Sequence, residues 1–73
     1  MDKSDKALDQ RISWWREVDK PAIEAVANAC NTTPEYIRML VYGHRRPQTD
    51  LAKLLAEHTG LPREAWRPDV WGR

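Results

Sequence analysis

The feature that most constrains this chain is the short connection between two apolar stretches in its middle. Cys30 to Thr33 separate the stretch AIEAVANA from the stretch PEYIRMLV. Both stretches repeat apolar residues at helical spacing, and a four-residue connection forces the two helices into a sharp corner. The sequence therefore predicts a helix-turn-helix arrangement at the centre of the fold.

Capping residues mark the ends of these two helices. Asp19 can cap a helix whose first turn contains Pro21, which predicts a helix over about 21–29. Thr33 caps the next helix, Pro34 fits its first position, and Gly43 supplies a left-handed stop. The second of the two helices is therefore predicted over about 34–42.

Two further helices flank this corner. Leu8, Ile12 and Trp15 share one face at helical spacing, with Trp14 beside them, which predicts a helix from about residue 7 to residue 18. After Pro47, the stretch TDLAKLLAEHTG predicts a fourth helix that ends at glycine. This stretch places Leu51, Leu54 and Leu55 on one face.

The remaining segments complete the predicted domain organisation. Residues 1–6 are small and charged and should be frayed, whereas residues 7–71 should form the domain and residues 72–73 its end. The C-terminal segment allows one helical turn over 63–66 before Pro68 interrupts it. No stretch alternates long enough to predict a sheet, so we expect a small all-α domain with four main helices.

Composition limits the functions that the chain can have. At 73 residues, of which 32% are charged and 41% hydrophobic, it forms one small domain with little room for a large enzyme cleft. A formal charge of +1 and a pI of 7.9 argue against a strongly cationic nucleic-acid coat, although a local basic patch stays open. No signal peptide or membrane-length apolar run is present, so we expect a soluble, cytoplasmic protein.

Metal binding and catalysis have little support. Cys30, His44 and His58 are spaced unlike any familiar zinc arrangement, so we expect no metal and no cofactor. A nucleophilic pair of Cys30 and His58 would need an oxyanion site as well, and a buried structural thiol is the simpler interpretation. We therefore expect that the chain is not an enzyme.

The third helix presents a mixed outward face. Its buried face should consist of Ile37, Leu40 and Val41. At helical spacing this leaves the following residues pointing outward: Glu35, Arg38, Met39 and Tyr42. The latter set is the candidate partner-binding site.

The chemistry of this outward face fits two kinds of partner. Arg38 suits a guanine, whereas Glu35 is repelled by phosphates unless it accepts a hydrogen bond from a cytosine amine. Met39 and Tyr42 can touch a thymine methyl or a phosphate, but they are also typical of protein contact surfaces. A structural alternative packs both beneath the fourth helix or the C-terminal segment.

Polar residues around the third helix are candidates for contact with phosphates or with an acidic surface. They are Thr33, His44, Arg45, Arg46, Gln48 and Thr49. A simpler interpretation of the basic residues is that they lie in a solvated loop, where their positive charges stabilise the C-terminal end of the preceding helix. The four tryptophans can stack on bases, but in a small chain without phenylalanine we expect most of them to build the core.

Several of these stretches resemble a known family. AIEAVANACNTTPEYIRMLVYGHRRP, LAKLLAEHTG and RPDVW, within residues 21–71, are similar to Cro-type helix-turn-helix regulators, particularly the YdaS-like phage group. The most specific pieces are Thr-Pro-x-Tyr-Ile, Gly-His-Arg-Arg-Pro and Arg-Pro-Asp-Val-Trp. The resemblance implies transcriptional control by a third helix in the DNA major groove. Asn31 stands where the family usually places glycine, and asparagine tolerates the same left-handed geometry.

A second resemblance rests on size, charge and helical architecture. In these features the chain is similar to a small regulator of a lytic Xanthomonas phage, which binds host RNA polymerase, blocks initiation and promotes antitermination. Two hypotheses follow, an operator-binding repressor and a regulator that binds bacterial RNA polymerase. We favour the polymerase hypothesis because it explains the mixed outward face. We also expect a monomer, since no dimerisation strand or zipper is evident.

Overall fold

The computed structural model describes residues 3–71, with side chains from residue 6 onward, and this part of the chain is helical. The six helices are α1 (Lys3–Glu17), α2 (Lys20–Ala29), α3 (Pro34–Val41), α4 (Thr49–Thr59), α5 (Arg63–Trp66) and α6 (Pro68–Trp71). No β-strand occurs between residues 3 and 71. The predicted all-α class is therefore confirmed, with two short C-terminal helices added to the four main ones.

Helix α1 begins earlier than predicted and buries a different face. It starts at Lys3, so residues 3–6 of the segment expected to be frayed are helical, while residues 1–2 and 72–73 lie outside the described part. The most buried positions are Ala7 and Arg11, which are 2% and 9% exposed. The predicted face of Leu8 and Ile12 is only half-buried. The buried stripe is thus rotated by one residue because Arg11 finds hydrogen-bond acceptors inside the fold.

The connection between α2 and α3 is built from two helix caps. Asn31 adopts φ 56°, and the amides of Asn31 and Thr32 donate to the carbonyls of Asn28 and Ala27 at 3.1 and 2.8 Å. This pair of bonds is a Schellman motif, which closes α2 and reverses the chain. Thr33 then accepts a hydrogen bond from the Tyr36 amide at 3.2 Å and starts α3 as predicted.

Helix α4 confirms part of its predicted face. Leu55 is fully buried and Leu51 half-buried, but Leu54 is 39% exposed, so the face of these three leucines lies only partly in the core. Ala52 takes the buried position instead. The helix ends at Gly60 with φ 78°, as the sequence predicts.

The C-terminal segment contains two helical turns instead of one. The predicted turn over 63–66 is α5, which ends before Pro68 as predicted, but a second turn follows because Pro68 occupies the first position of α6. A first-turn residue needs no amide hydrogen, so proline is well suited to this place. The Arg63 guanidinium lies 5.8 Å from the centre of the Trp71 ring, a cation–π distance that links α5 to α6.

Trp66 is the largest fully buried side chain in the described core. It packs with the buried face of α3 and with Leu55, and its indole nitrogen donates to the Thr59 hydroxyl at 3.3 Å. Trp14 approaches it edge-on, with ring centres 6.1 Å apart. Trp14, Trp15 and Trp71 are half-buried against this core, so the prediction that most tryptophans are structural is confirmed.

Candidate partner-binding surface

Helix α3 lies with one face in the core and the other in solvent. Ile37, Leu40 and Val41 are at most 1% exposed, which confirms the buried face that spacing predicts. The opposite side carries the four candidate residues, which we call the α3 surface: Glu35, Arg38, Met39 and Tyr42. The packing of the core therefore fixes which side chains α3 presents to a partner.

The α3 surface is partly apolar and carries both signs of charge. Tyr42 is 39% exposed, which argues against its burial beneath α4 or the C-terminal segment, while Met39 is half-buried. Glu35 and Arg38 are exposed, and neither forms an ion pair with another described residue. Glu35 lies in the first turn and Arg38 in the last, where the helix dipole favours each charge. Both charges are therefore free to pair with a partner.

The residues after α3 form a basic loop whose first amides are hydrogen-bonded to that helix. Gly43 has φ 82°, its amide donates to Leu40, and the amide of His44 donates to the Met39 carbonyl at 2.9 Å. This is a second Schellman motif, and the Arg45 amide donates to the same Met39 oxygen at 3.3 Å. The backbone thus turns the side chains of the basic loop, His44, Arg45 and Arg46, into solvent.

The neutral candidates for contact with phosphates are exposed at the starts of two helices. The Thr33 hydroxyl accepts from the Tyr36 amide, so its own hydrogen remains available to a partner. Gln48 precedes α4 at the cap position but makes no side-chain capping bond, and Thr49 opens that helix. Thr33 lies in the connection between α2 and α3, whereas Gln48 and Thr49 follow the basic loop at the start of α4.

Arg11 is the buried group that the sequence analysis missed. Its Nε donates to the Val41 carbonyl at 3.0 Å and its Nη1 donates to the Ala65 carbonyl at 2.7 Å. Both acceptors lie at helix ends, where carbonyls lack partners within their helix. Burial lowers the pKa of the Arg11 guanidinium. One signal was available, since Arg11 follows Ala7 by four residues in an otherwise apolar helix face.

Arg67 holds the far end of the basic loop. Its Nη1 donates to the Pro47 carbonyl at 2.8 Å, while Nε and Nη2 donate to the two oxygens of Asp69 at 2.9 and 2.7 Å. These bonds from Arg67 are the main reason that the pKa of Asp69 falls to about 2. Arg46 also lies 3.7 Å from Asp69, a long ion pair on an exposed side chain.

The described residues contain no arrangement suited to metal binding. No three His, Cys, Asp or Glu side chains come together there in a way that could hold an ion. Cys30 is buried, as expected for a structural thiol, and burial raises its pKa, which disfavours the reactive thiolate.

Comparison with known proteins adds no named relative. No family model, curated protein or solved structure matches the chain. Across the described part, none of the helices combines the length and apolar character needed to cross a bilayer.

Proposed function

We propose that this chain is a small transcription regulator that binds bacterial RNA polymerase and inhibits or redirects transcription. In this proposal α2 and α3 form the central helix-turn-helix of a four-helix framework, and the α3 surface contacts the polymerase in the bacterial cytoplasm. The polymerase as partner comes from the resemblance in size, charge and helical architecture to a small phage regulator. The exposure of Tyr42 beside Met39 on α3 is the observation that carries the choice of a protein partner.

The composition of the α3 surface supports a protein partner over DNA. Tyrosine, methionine and arginine are enriched in the centres of protein interfaces. The exposed Glu35 carboxylate has no partner among the described residues, and a DNA backbone would repel it. A protein can supply a cation to Glu35 and an acid to Arg38 at the same time.

Surface area indicates how much of the molecule takes part. A stable protein contact buries about 800 Å² on each partner. The whole chain exposes 4938 Å², so such a contact would take about one sixth of its surface. Four side chains are too few for that area. The interface therefore extends from the α3 surface onto the neighbouring basic loop.

A second candidate is a Cro-like, sequence-specific operator repressor. It is favoured by the four-residue connection between α2 and α3 and by the exposed Arg38 with the basic loop beside the end of the same helix. In this arrangement Arg38 reads a guanine in the major groove. Phosphates are then held by Arg45 and Arg46, with help from Thr33, Gln48 and Thr49.

One experiment separates the two candidates. Fluorescently labelled protein is offered in parallel to purified bacterial RNA polymerase and to a library of random duplex DNA, at physiological salt. The proposal expects saturable binding to polymerase and only weak, salt-sensitive binding to DNA without sequence preference. Nanomolar binding to one selected duplex, together with no binding to polymerase, would establish the operator repressor instead.

A further inference from the structure

A cleft of about 180 Å³ lies beside the basic loop, between that loop and the C-terminal helices. Its walls include the apolar side chains of Leu40, Trp66 and Pro68. Its polar lining includes three arginines, so we call it the arginine cleft: Arg11, Arg45 and Arg46. The volume corresponds to about six water molecules, which is enough for one short side chain.

Arg11 is a buried cation whose hydrogen bonds are incomplete. It is 9% exposed, and Nε and Nη1 are taken up by the carbonyls of Val41 and Ala65. Nη2 has no hydrogen-bond partner among the described residues, and it is accessible to solvent, since no buried side-chain nitrogen there lacks a partner. No described carboxylate pairs with this side chain. A buried charge without a counterion is unfavourable, so the site attracts an anion.

The position of Gly43 leaves the third nitrogen of Arg11 open to the cleft. A Cβ atom at Gly43 would lie 3.8 Å from Nη2, so the two groups face each other. Gly43 and Arg11 both line the cleft. A side chain at position 43 would contact Nη2, so glycine leaves more of this nitrogen uncovered.

The charges around the cleft favour a negative ligand. Arg45 and Arg46 are exposed at its rim. Among the described residues, the one carboxylate in the lining is Asp69, and two hydrogen bonds from Arg67 already satisfy it. Arg46 approaches Asp69 only to 3.7 Å and is largely exposed, so it can turn toward a ligand.

We propose that the arginine cleft binds a glutamate or aspartate side chain from an acidic segment of the protein partner. This inference rests on the proposed function in taking the partner to be a protein. The apolar walls suit the methylene groups of such a side chain, while the guanidinium groups bind its carboxylate. A phosphodiester fits less well, because the sugars on both sides of the phosphate hold it outside a cleft of this size.

The test uses the full chain labelled with ¹⁵N and a capped peptide with three glutamates among alanines. The same peptide with glutamines is the control ligand. Binding of the glutamate peptide should shift the Gly43 amide, the Trp66 indole and the Arg11 Nε–H signals in a saturable way. The glutamine peptide should leave these signals in place. If the two peptides act alike, or neither acts, the assignment is overturned.

Variants show whether the arginines bind the peptide. Arg45→Gln with Arg46→Gln should weaken binding by about tenfold, the loss expected for a charge-assisted hydrogen bond. Lys20→Gln with Lys53→Gln removes the same charge from exposed sites elsewhere and should leave binding within about twofold. An equal loss in both double variants would mean that only net charge attracts the peptide, and would overturn the assignment.

Two more ligands distinguish the source of the anion. Inorganic phosphate and a 16-base-pair duplex are titrated against the same signals. If either moves them at a lower concentration than the glutamate peptide does, the occupant is a phosphate and the proposal fails. Polymerase binding is measured separately. If the chain binds the glutamate peptide but not polymerase, the cleft assignment stands and the proposed function fails. If it binds polymerase but not the glutamate peptide, the proposed function stands and the cleft assignment fails.

Discussion

The Nε atom of Arg11 donates a hydrogen bond to the carbonyl oxygen of Val41, thirty residues further along the chain. The bond spans 3.0 Å and joins the first helix to the end of α3. The same guanidinium reaches Ala65 in α5, so one side chain connects three helices. The orientation of the α3 surface therefore depends on a residue that is not part of it.

Removing this guanidinium should destabilise the fold. Arg11→Met keeps most of the stem but leaves the Val41 and Ala65 carbonyls without a donor, so we expect a loss of about 2 to 4 kcal/mol in the free energy of unfolding. Urea denaturation measures this loss of stability. Arg16→Met, at an exposed position of the same helix, is the control and should change stability by less than about 0.5 kcal/mol. Equal losses would show that Arg11 contributes no more than an exposed arginine.

Truncation of Trp66 should be the most damaging change in the core. Trp66→Ala removes a side chain that is 2% exposed and should cost about 3 to 5 kcal/mol. Trp15 is half-buried, so Trp15→Ala should cost clearly less. Thermal unfolding followed by circular dichroism compares the two variants. A larger loss of stability from Trp15→Ala than from Trp66→Ala would show that the core is centred on Trp15 instead.

The left-handed backbone at Gly43 gives a prediction that separates stability from binding. Gly43→Ala should lose about 1 to 2 kcal/mol of stability because alanine is strained at φ 82°. Gly60→Ala is a matched control, since Gly60 has φ 78° and open space around it. Both variants should lose similar stability by urea denaturation, but only Gly43→Ala should also weaken polymerase binding. Equal binding by the two variants would mean that the loop geometry is irrelevant to the partner.

Asp69 should titrate well below its ordinary pKa of 3.8. Carbon-detected NMR of its carboxyl group should give a pKa of about 2, and Arg67→Gln should raise that pKa toward the ordinary value. Because the pKa of Asp69 is lower in the folded state, the Arg67–Asp69 pair makes its full contribution to stability above pH 3.8. That contribution is lost as the pH falls toward 2. It is small because Asp69 is exposed. Titration near 3.8 in the unmodified chain would contradict the bidentate pair.

The α3 surface predicts which side chains matter for polymerase. Tyr42→Ala and Met39→Ala should each weaken binding by about 1 to 2 kcal/mol with little loss of folding. Leu54→Ala is the control, because Leu54 is also 39% exposed but lies on α4. Fluorescence anisotropy against purified polymerase measures all three variants. Comparable losses from Leu54→Ala and Tyr42→Ala would show that the contact is not specific to α3.

The operator alternative predicts a different pattern in the same assay with DNA. Arg38→Ala should then cost about 1 to 3 kcal/mol and relax the preference at one base pair. Arg45→Ala should weaken all sequences evenly and reduce the salt dependence. Selection from a duplex library at two salt concentrations measures both effects. If neither variant changes the selected sequences or the salt dependence, α3 does not read DNA.

The sequence predicts the helix boundaries around α3 well because their causes are local. Thr33 can cap only the helix that follows it, and Gly43 is favoured at a left-handed position whatever surrounds it. The buried face of α3 was also predicted, since its three apolar residues follow a single helical stripe. These are the parts of the candidate site that neighbouring residues determine.

The errors concern choices that depend on distant parts of the chain. The buried face of α1 is rotated because Arg11 meets two carbonyls, thirty and fifty-four residues away, that the local sequence cannot reveal. Leu54 shares a face with Leu51 and Leu55 by spacing but is 39% exposed, whereas Ala52 is buried, because the packing of other helices decides which edge of that face meets the core. The arginine cleft was missed for the same reason, since its walls come from segments far apart in the sequence.

The basic loop is held at both ends before any partner arrives. The Met39 carbonyl binds the amides at its start, and Arg67 binds the Pro47 carbonyl at its end. Its backbone entropy is therefore lost during folding, and association restricts only the arginine side chains. The amides of His44 and Arg45 should accordingly exchange slowly with deuterium although their side chains are exposed, and partner binding should slow that exchange little further.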